Sequence, residues 1–135
     1  MIPRFRVWSE QEKRLIPSED ILAIDYENEE IDAQKIYFED GLPVERDIYT
    51  YGFENVKLMQ STGLTDKDGK EIFEGDVIGA KDGLLNGVVN FNTDLGMWTN
   101  SLIRYNNFER LCNIANSREI IGNVHANPEL LEVQT

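Results

Sequence analysis

The sequence predicts a mainly β protein, an N-terminal β-hairpin region over about residues 1–52 followed by a small barrel domain over about 53–135, with at most one or two short helices. Three observations carry this. Short β-type runs bounded by Gly, Asn or Asp recur through the second half: "DVIGAK", "NGVVNFN", "GMWTN" and "REIIGNVHA". That spacing suits an antiparallel meander closed into a small barrel. In "DIYTYGF", Tyr49, Tyr51 and Phe53 alternate, which on a strand places them on one face. Helical periodicity is almost absent.

Taken in order, "RFRVWSEQEKRLI" (residues 4–16) reads as a hairpin turning at "SEQEKR". "ILAIDY", the polar "ENEE" and "IDAQKIYF" read as a second β pair, although a helix over "AQKIYF" without clear caps is the alternative. "DGLPVERD" reads as a loop carrying Gly41 and Pro43. The weak helical candidate is "NNFERLCNIANS", with Phe108, Leu111, Cys112 and Ala115 at helical spacing. Near the end, Pro128 in "NPELLEV" is placed to open a single helical turn.

Composition narrows the function classes. The 135 residues suffice for a core without disulfide staples, and 41% apolar with 28% charged is ordinary for a globular protein. The net charge of −12 argues against direct DNA or RNA binding, because phosphate contacts need clustered Lys and Arg. One Cys (Cys112) and one His (His125) fall short of a zinc set and leave no intramolecular disulfide. Nothing around His125 resembles a nucleophile elbow. No apolar run reaches membrane-spanning length, so a cytoplasmic location in a bacterial host cell is expected, with no membrane partner. No catalytic residue, cofactor or metal ligand is expected.

The densest motif is "TGLTDKDGKEIFEGDVI", residues 62–78. Tested as a calcium loop from Asp66, it puts Asp68 at position 3, Lys70 at position 5 and Val77 at position 12, so an ammonium stands where a ligand belongs. Turn chemistry fits better. "DKDGK" lies between two β-type runs, and Gly69 can take positive φ to make a hairpin with a bulge. Glu74-Gly75-Asp76 then forms a second turn. There Asp76 accepts backbone N–H bonds, and Val77 and Ile78 enter a buried strand. Thr62, Gly63, Asp66, Asp68, Gly69, Glu74, Gly75 and Asp76 are therefore assigned as a structural turn motif.

"VKLMQSTGLTDKDGKEIFEGDVI", with "FRVW" near the start and "EIIGNVHANPELLE" near the end, resembles the YopX family of bacteriophages and prophages. The resemblance spans most of the chain, but residues 17–52 carry no match. It implies a β-rich protein whose later part is a small SH3-like barrel, and it implies no enzyme activity, cofactor or catalytic residue. The expected function is a non-enzymatic accessory protein acting through contacts with a protein partner (self, phage or host), including homo-oligomers. The alternative is a regulator of nucleic-acid transactions, by DNA mimicry or by a locally basic patch.

Four further features bear on that choice. Tyr49, Tyr51 and Phe53 form a candidate interaction surface. A base-stacking platform is disfavoured there because residues 40–55 hold one base, Arg46, against Asp40, Glu45, Asp47 and Glu54. Residues 19–40 hold nine acids and one base, Lys35, which is the feature that mimicry would use. The interspersed Ile21, Leu22, Ile24, Ile31, Ile36 and Phe38 make that run folded rather than a solvated tail. Trp8 and Trp98 are expected to seal barrel ends. Cys112 is expected as a small buried hydrophobe and His125 as a polar residue at the end of a β-run.

Overall fold

The computed structural model describes residues 2–80 and 82–132. The chain divides into two compact units, one spanning Arg4–Leu58 and the other holding the residues before Arg4 together with the chain from Met59 onward.

In the first unit, β1 (Phe5–Ser9) and β2 (Arg14–Ile16) form the predicted hairpin, with Trp8 opposite Leu15. Its turn is closed by Ser9 Oγ, which accepts from Glu12 N at 3.2 Å. Next come β3 (Ile21–Asp25), β4 (Glu30–Glu39) and β5 (Leu42–Gly52), an antiparallel sheet in the order β3-β4-β5. Asp25 Oδ1 accepts from the N–H groups of Glu27 and Asn28, both at 3.1 Å, and so shapes the β3–β4 turn. Val7, Ile16, Ile31, Ala33 and Val56 make the core, flanked by Ile21, Ile24, Tyr51, Phe53 and Leu58. Ile31 and Ala33 enter it with the period of two that a strand requires. That period rules out a helix over "AQKIYF", whose residues lie in β4.

The expected loop "DGLPVERD" is corrected. Only Asp40 and Gly41 turn, at φ 52° and 77°, and Leu42 already begins β5. Positive φ at both central residues is the twist that joins two strands tightly, and Asp-Gly supplies it. Pro43 is tolerated because β5 is an edge strand and the register shifts beside it, between Tyr37 and Phe38.

In the second unit, the Met59–Thr65 part of β6 (Val56–Thr65) pairs with β7 (Glu71–Phe73). Then follow β8 (Asp76–Gly79), β9 (Gly87–Asn92), β10 (Met97–Leu102), β11 (Phe108–Arg110), the one-turn helix α1 (Leu111–Ile114) and β12 (Glu119–Asn123). Strands β8 to β11 form a meander, and β12 returns antiparallel to β8, giving the order β11-β10-β9-β8-β12. This is the strand order of an SH3-like barrel, here a curled half-barrel. Its core is Ile72, Ile78, Val89, Leu111 and Ala115, packed by Leu64, Trp98, Ile114 and Ile120. Pro128 opens a 3-10 turn, Pro128–Leu131, as the sequence predicts.

Two expectations fail around α1. The segment "NNFERLC" is not helical at its start, since Phe108–Arg110 is a strand pairing with Thr99–Ser101. A second helical piece is the 3-10 turn Ala115–Ser117. Leu111 and Ala115 are buried, but Phe108 and Cys112 are exposed, so Cys112 is not a core hydrophobe. Four residues of helix bury one stripe only.

Candidate interaction surface

The 62–78 motif is committed to backbone geometry. Thr62 Oγ1 donates to Ile72 O at 2.8 Å and accepts from Leu64 N at 3.1 Å. Gly63 (φ 78°) donates its N–H to Ser61 Oγ at 3.1 Å. Asp66 is 3% exposed, and Oδ1 accepts from the N–H groups of Asp68 and Lys70, both at 2.9 Å. Its Oδ2 accepts from Ile120 N at 3.0 Å, fastening the β6–β7 turn to β12. Burial pushes the Asp66 carboxyl up, but the three N–H bonds and Lys70 outweigh it and hold it below the ordinary value. Gly69 stands at φ 82° and closes a turn on Asp66 O.

The second turn works the same way. Glu74 N donates to Gln60 O at 2.8 Å. Gly75 (φ 86°) donates to Val89 O at 2.8 Å and accepts from Val124 N at 2.9 Å. Asp76 Oδ2 accepts from Phe73 N at 2.8 Å. The two central carboxylates, Asp66 and Asp76, thus hold strands in register. No group of three or more His, Cys, Asp or Glu converges as a metal site among the described residues.

The three alternating aromatics do not share one face. Tyr49 and Tyr51 lie on β5 with ring centres 6.4 Å apart, but Phe53 falls in the 3-10 turn Phe53–Asn55 and meets Tyr26 edge-on at 6.1 Å. Tyr51 donates to the Glu12 carboxylate at 3.0 Å, with Arg14 at 3.5 Å. Tyr51 and Phe53 also pack on the core. The Tyr49 phenol is pushed up to about 12, first by its bond with Tyr37, then by burial and Asp47. His125 is half-buried in the turn after β12, where its N–H bonds Asn123 Oδ1 at 3.0 Å.

The apolar surface lies one hairpin end away. Strand β3 pairs with β4 only from Glu30 to Ala33, whereas β4 pairs with β5 along its whole length. Beyond Ala33 the hairpin is a two-stranded ribbon reaching about 20 Å at ~3.3 Å per residue. A lone two-stranded ribbon is marginal in water. This one still exposes Phe38 (65%), Leu42 (66%), Val44 (58%) and Ile48 (55%). From Phe38 to Glu45 it carries three acids, Glu39, Asp40 and Glu45, and no base. This acidic, apolar tip is the feature that sequence reasoning missed. The signal was present as Asp-Gly between two alternating runs.

A stretch of opposite composition lies in the barrel unit. From Leu95 to Arg118 the chain has three arginines and a single acid, Glu109. That acid is claimed internally. Arg118 clasps it through two bonds of 2.7 and 2.9 Å, and Asn100 adds a third at 3.1 Å. The Arg118 guanidinium therefore holds the Glu109 carboxyl below its ordinary range, against a smaller opposing effect of burial. What faces solvent is Arg104 and Arg110, with Tyr105 (49%) and Phe108 (42%). Neither arginine is in an ion pair among the described residues. An open pocket of about 420 Å³ is lined by Ser101, Leu102, Tyr105, Asn106, Asn107 and Phe108, whereas Arg104 lines a separate one with Glu129 and Glu132. Strand β11 alongside it is the edge of the sheet.

The model of the YopX protein family matches residues 4–132. The chain belongs to the YopX family. Among solved structures it is similar to the protein EF1440 from Enterococcus faecalis, with 28% identity and a TM-score of 0.64 over 98% of this chain and 99% of that one. It is also similar to yopX from Bacillus subtilis, at 18% identity and a TM-score of 0.59 over 98% of each chain, a likeness of fold. A search of the curated proteins finds no match. The family match includes residues 17–52, where the sequence alone offered no resemblance, so the β4–β5 ribbon lies within the family's span. No helix among the described residues is long and apolar enough to cross a membrane.

Proposed function

We propose that this YopX-family chain is a non-enzymatic phage or prophage accessory protein that works through protein–protein contacts, with the β4–β5 ribbon as its principal contact element. The observation that carries the reading is the exposure of Phe38, Leu42, Val44 and Ile48 on a ribbon that, among the described residues, no third strand supports beyond Ala33. Apolar side chains clustered on an exposed element mark interaction sites. β5 is also an edge strand, and its free main-chain groups offer a second means of recognition. The carboxylates that first suggested chemistry, Asp66 and Asp76, are already committed to backbone N–H groups.

A photocrosslinking amino acid placed at Phe38 tests the proposal in the bacterial cell. Discrete adducts at Phe38, absent when the same group sits at Asp94, are expected. Equal labelling at both positions, or none at either, overturns it.

A further inference from the structure

A cavity in the barrel unit gathers charges of both signs that the fold leaves unpaired. Asn86, Ile103, Arg104, Glu129, Leu130 and Glu132 are among its lining residues, and its volume is about 230 Å³. Three segments far apart in the sequence build it. Ile103 N donates to Asn86 O at 3.0 Å, which ties the β8–β9 loop to the β10–β11 loop. The Pro128–Leu131 turn is pinned to β12. There Leu130 N donates to Asn127 O at 3.0 Å, and Asn127 Oδ1 accepts from Asn123 N at 3.2 Å. Gly122 leaves room for this turn, since a Cβ there would stand 2.8 Å from Leu130 Cδ1.

The three charged side chains in this lining are exposed, and none is in an ion pair among the described residues. Glu129 accepts one long bond, 3.5 Å, from Asn127 Nδ2. One guanidinium against two carboxylates leaves the lining with one negative charge in excess. The complement is a small ligand with two cationic groups and one anionic group. The half-buried Ile103 and Leu130 add apolar wall for a methylene stem. The volume lies below the roughly 300 Å³ at which pockets for drug-sized ligands begin, so it suits a single amino acid.

We infer that this cavity is a binding site for a free basic α-amino acid of the lysine or arginine type. The α-carboxylate meets Arg104, and the α-ammonium and the side-chain cation meet Glu129 and Glu132. Other ligand classes fit worse. A phosphate would face two carboxylates with one base. A divalent cation would have a guanidinium beside it, and no three His, Cys, Asp or Glu converge as a metal site among the described residues. Exposed charge pairs are weak, so a Kd on the order of 1 mM is expected. The inference does not rest on the reading of the ribbon.

The test is a titration of the ¹⁵N-labelled full chain with L-lysine at low ionic strength. Saturable shifts are expected at the backbone amides of Gly83, Ile103 and Leu130. Three analogues each remove one charge: L-lysinamide the carboxylate, Nα-acetyl-L-lysine the α-ammonium and L-norleucine the side-chain cation. Each is expected to bind about fivefold more weakly. Arg104→Gln should abolish the preference for L-lysine over L-lysinamide. Glu129→Gln with Glu132→Gln should abolish the preference over L-norleucine. All three positions are exposed, so shifts elsewhere in these variants should match wild type.

L-lysine that produces no saturable shift overturns the inference. So do analogues that bind as tightly as L-lysine, and variants that keep both preferences. Equal binding of Nα-acetyl-L-lysine alone would make the ligand the C-terminal residue of a chain, and it too overturns the free amino acid.

Discussion

Two hairpins of this chain, β6–β7 and β4–β5, share their turn chemistry and differ in what surrounds them. Both turn through Asp and Gly with positive φ at the glycine. In β6–β7 the aspartate is buried, and its two oxygens accept three N–H groups, one of them 54 residues away on β12. In β4–β5 the turn aspartate, Asp40, is exposed, and the ribbon behind it leaves Phe38 and Leu42 in water. The lesson is about where a small β protein uses its resources. Polar groups that look reactive are consumed in fixing register, while apolar groups that look like core are left outside.

That contrast can be broken or sharpened in graded steps. Asp66→Ala should have the largest effect, because three backbone N–H groups lose their acceptor. At about 1–3 kcal/mol for each buried group left unpaired, a loss on the order of 3 kcal/mol or more is expected as a lower urea midpoint. A loss below ~1 kcal/mol would place Asp66 with the exposed turn residues.

Acid should act through the same group and through Glu109. Both carboxyls are held below their ordinary values of 3.8 and 4.5 in the folded chain. Their contribution is therefore fully present above those values and is lost as pH falls through the lowered folded ones. Melting followed from pH 6 to pH 2.5 should show the fall, and Asp66→Asn should flatten it. An unchanged slope in that variant would remove Asp66 from the acid response.

Gly75→Ala should cost about 1–2 kcal/mol. At φ 86° an L side chain enters the left-handed region, while the nearby Met59 Cε, 2.9 Å from the added carbon, can swing aside. Phe38→Ser should have the smallest effect on stability, within about 0.5 kcal/mol, because the ring is already exposed. A clear destabilisation by chemical melt would show that the ribbon tip is core after all.

Much of the local structure was legible in the residues. The turn motif could be read because Asp, Gly and Thr act on backbone groups within a few positions, which is also why Gly69 and Gly75 were assignable. The β5 strand was misread because Pro43 signals loop wherever a strand is not known to be an edge, and edge status belongs to the whole sheet. Phe108 and Cys112 were misread because helical spacing within "NNFERLCNIANS" cannot reveal that only one turn forms. The bidentate pair of Arg118 with Glu109 was invisible, since nothing local distinguishes these residues from surface charges.

By itself the sequence determined the β class, the hairpin turns, the family resemblance and the excess of acid. These follow from backbone preferences, side-chain period and composition, all of which act at short range. Only the tertiary structure decided which carboxylates are occupied, that β4–β5 outruns its third strand, and that Arg118 clasps Glu109. Each of those depends on which distant strand lies alongside, and pairing between distant segments is set by the packing of the whole unit.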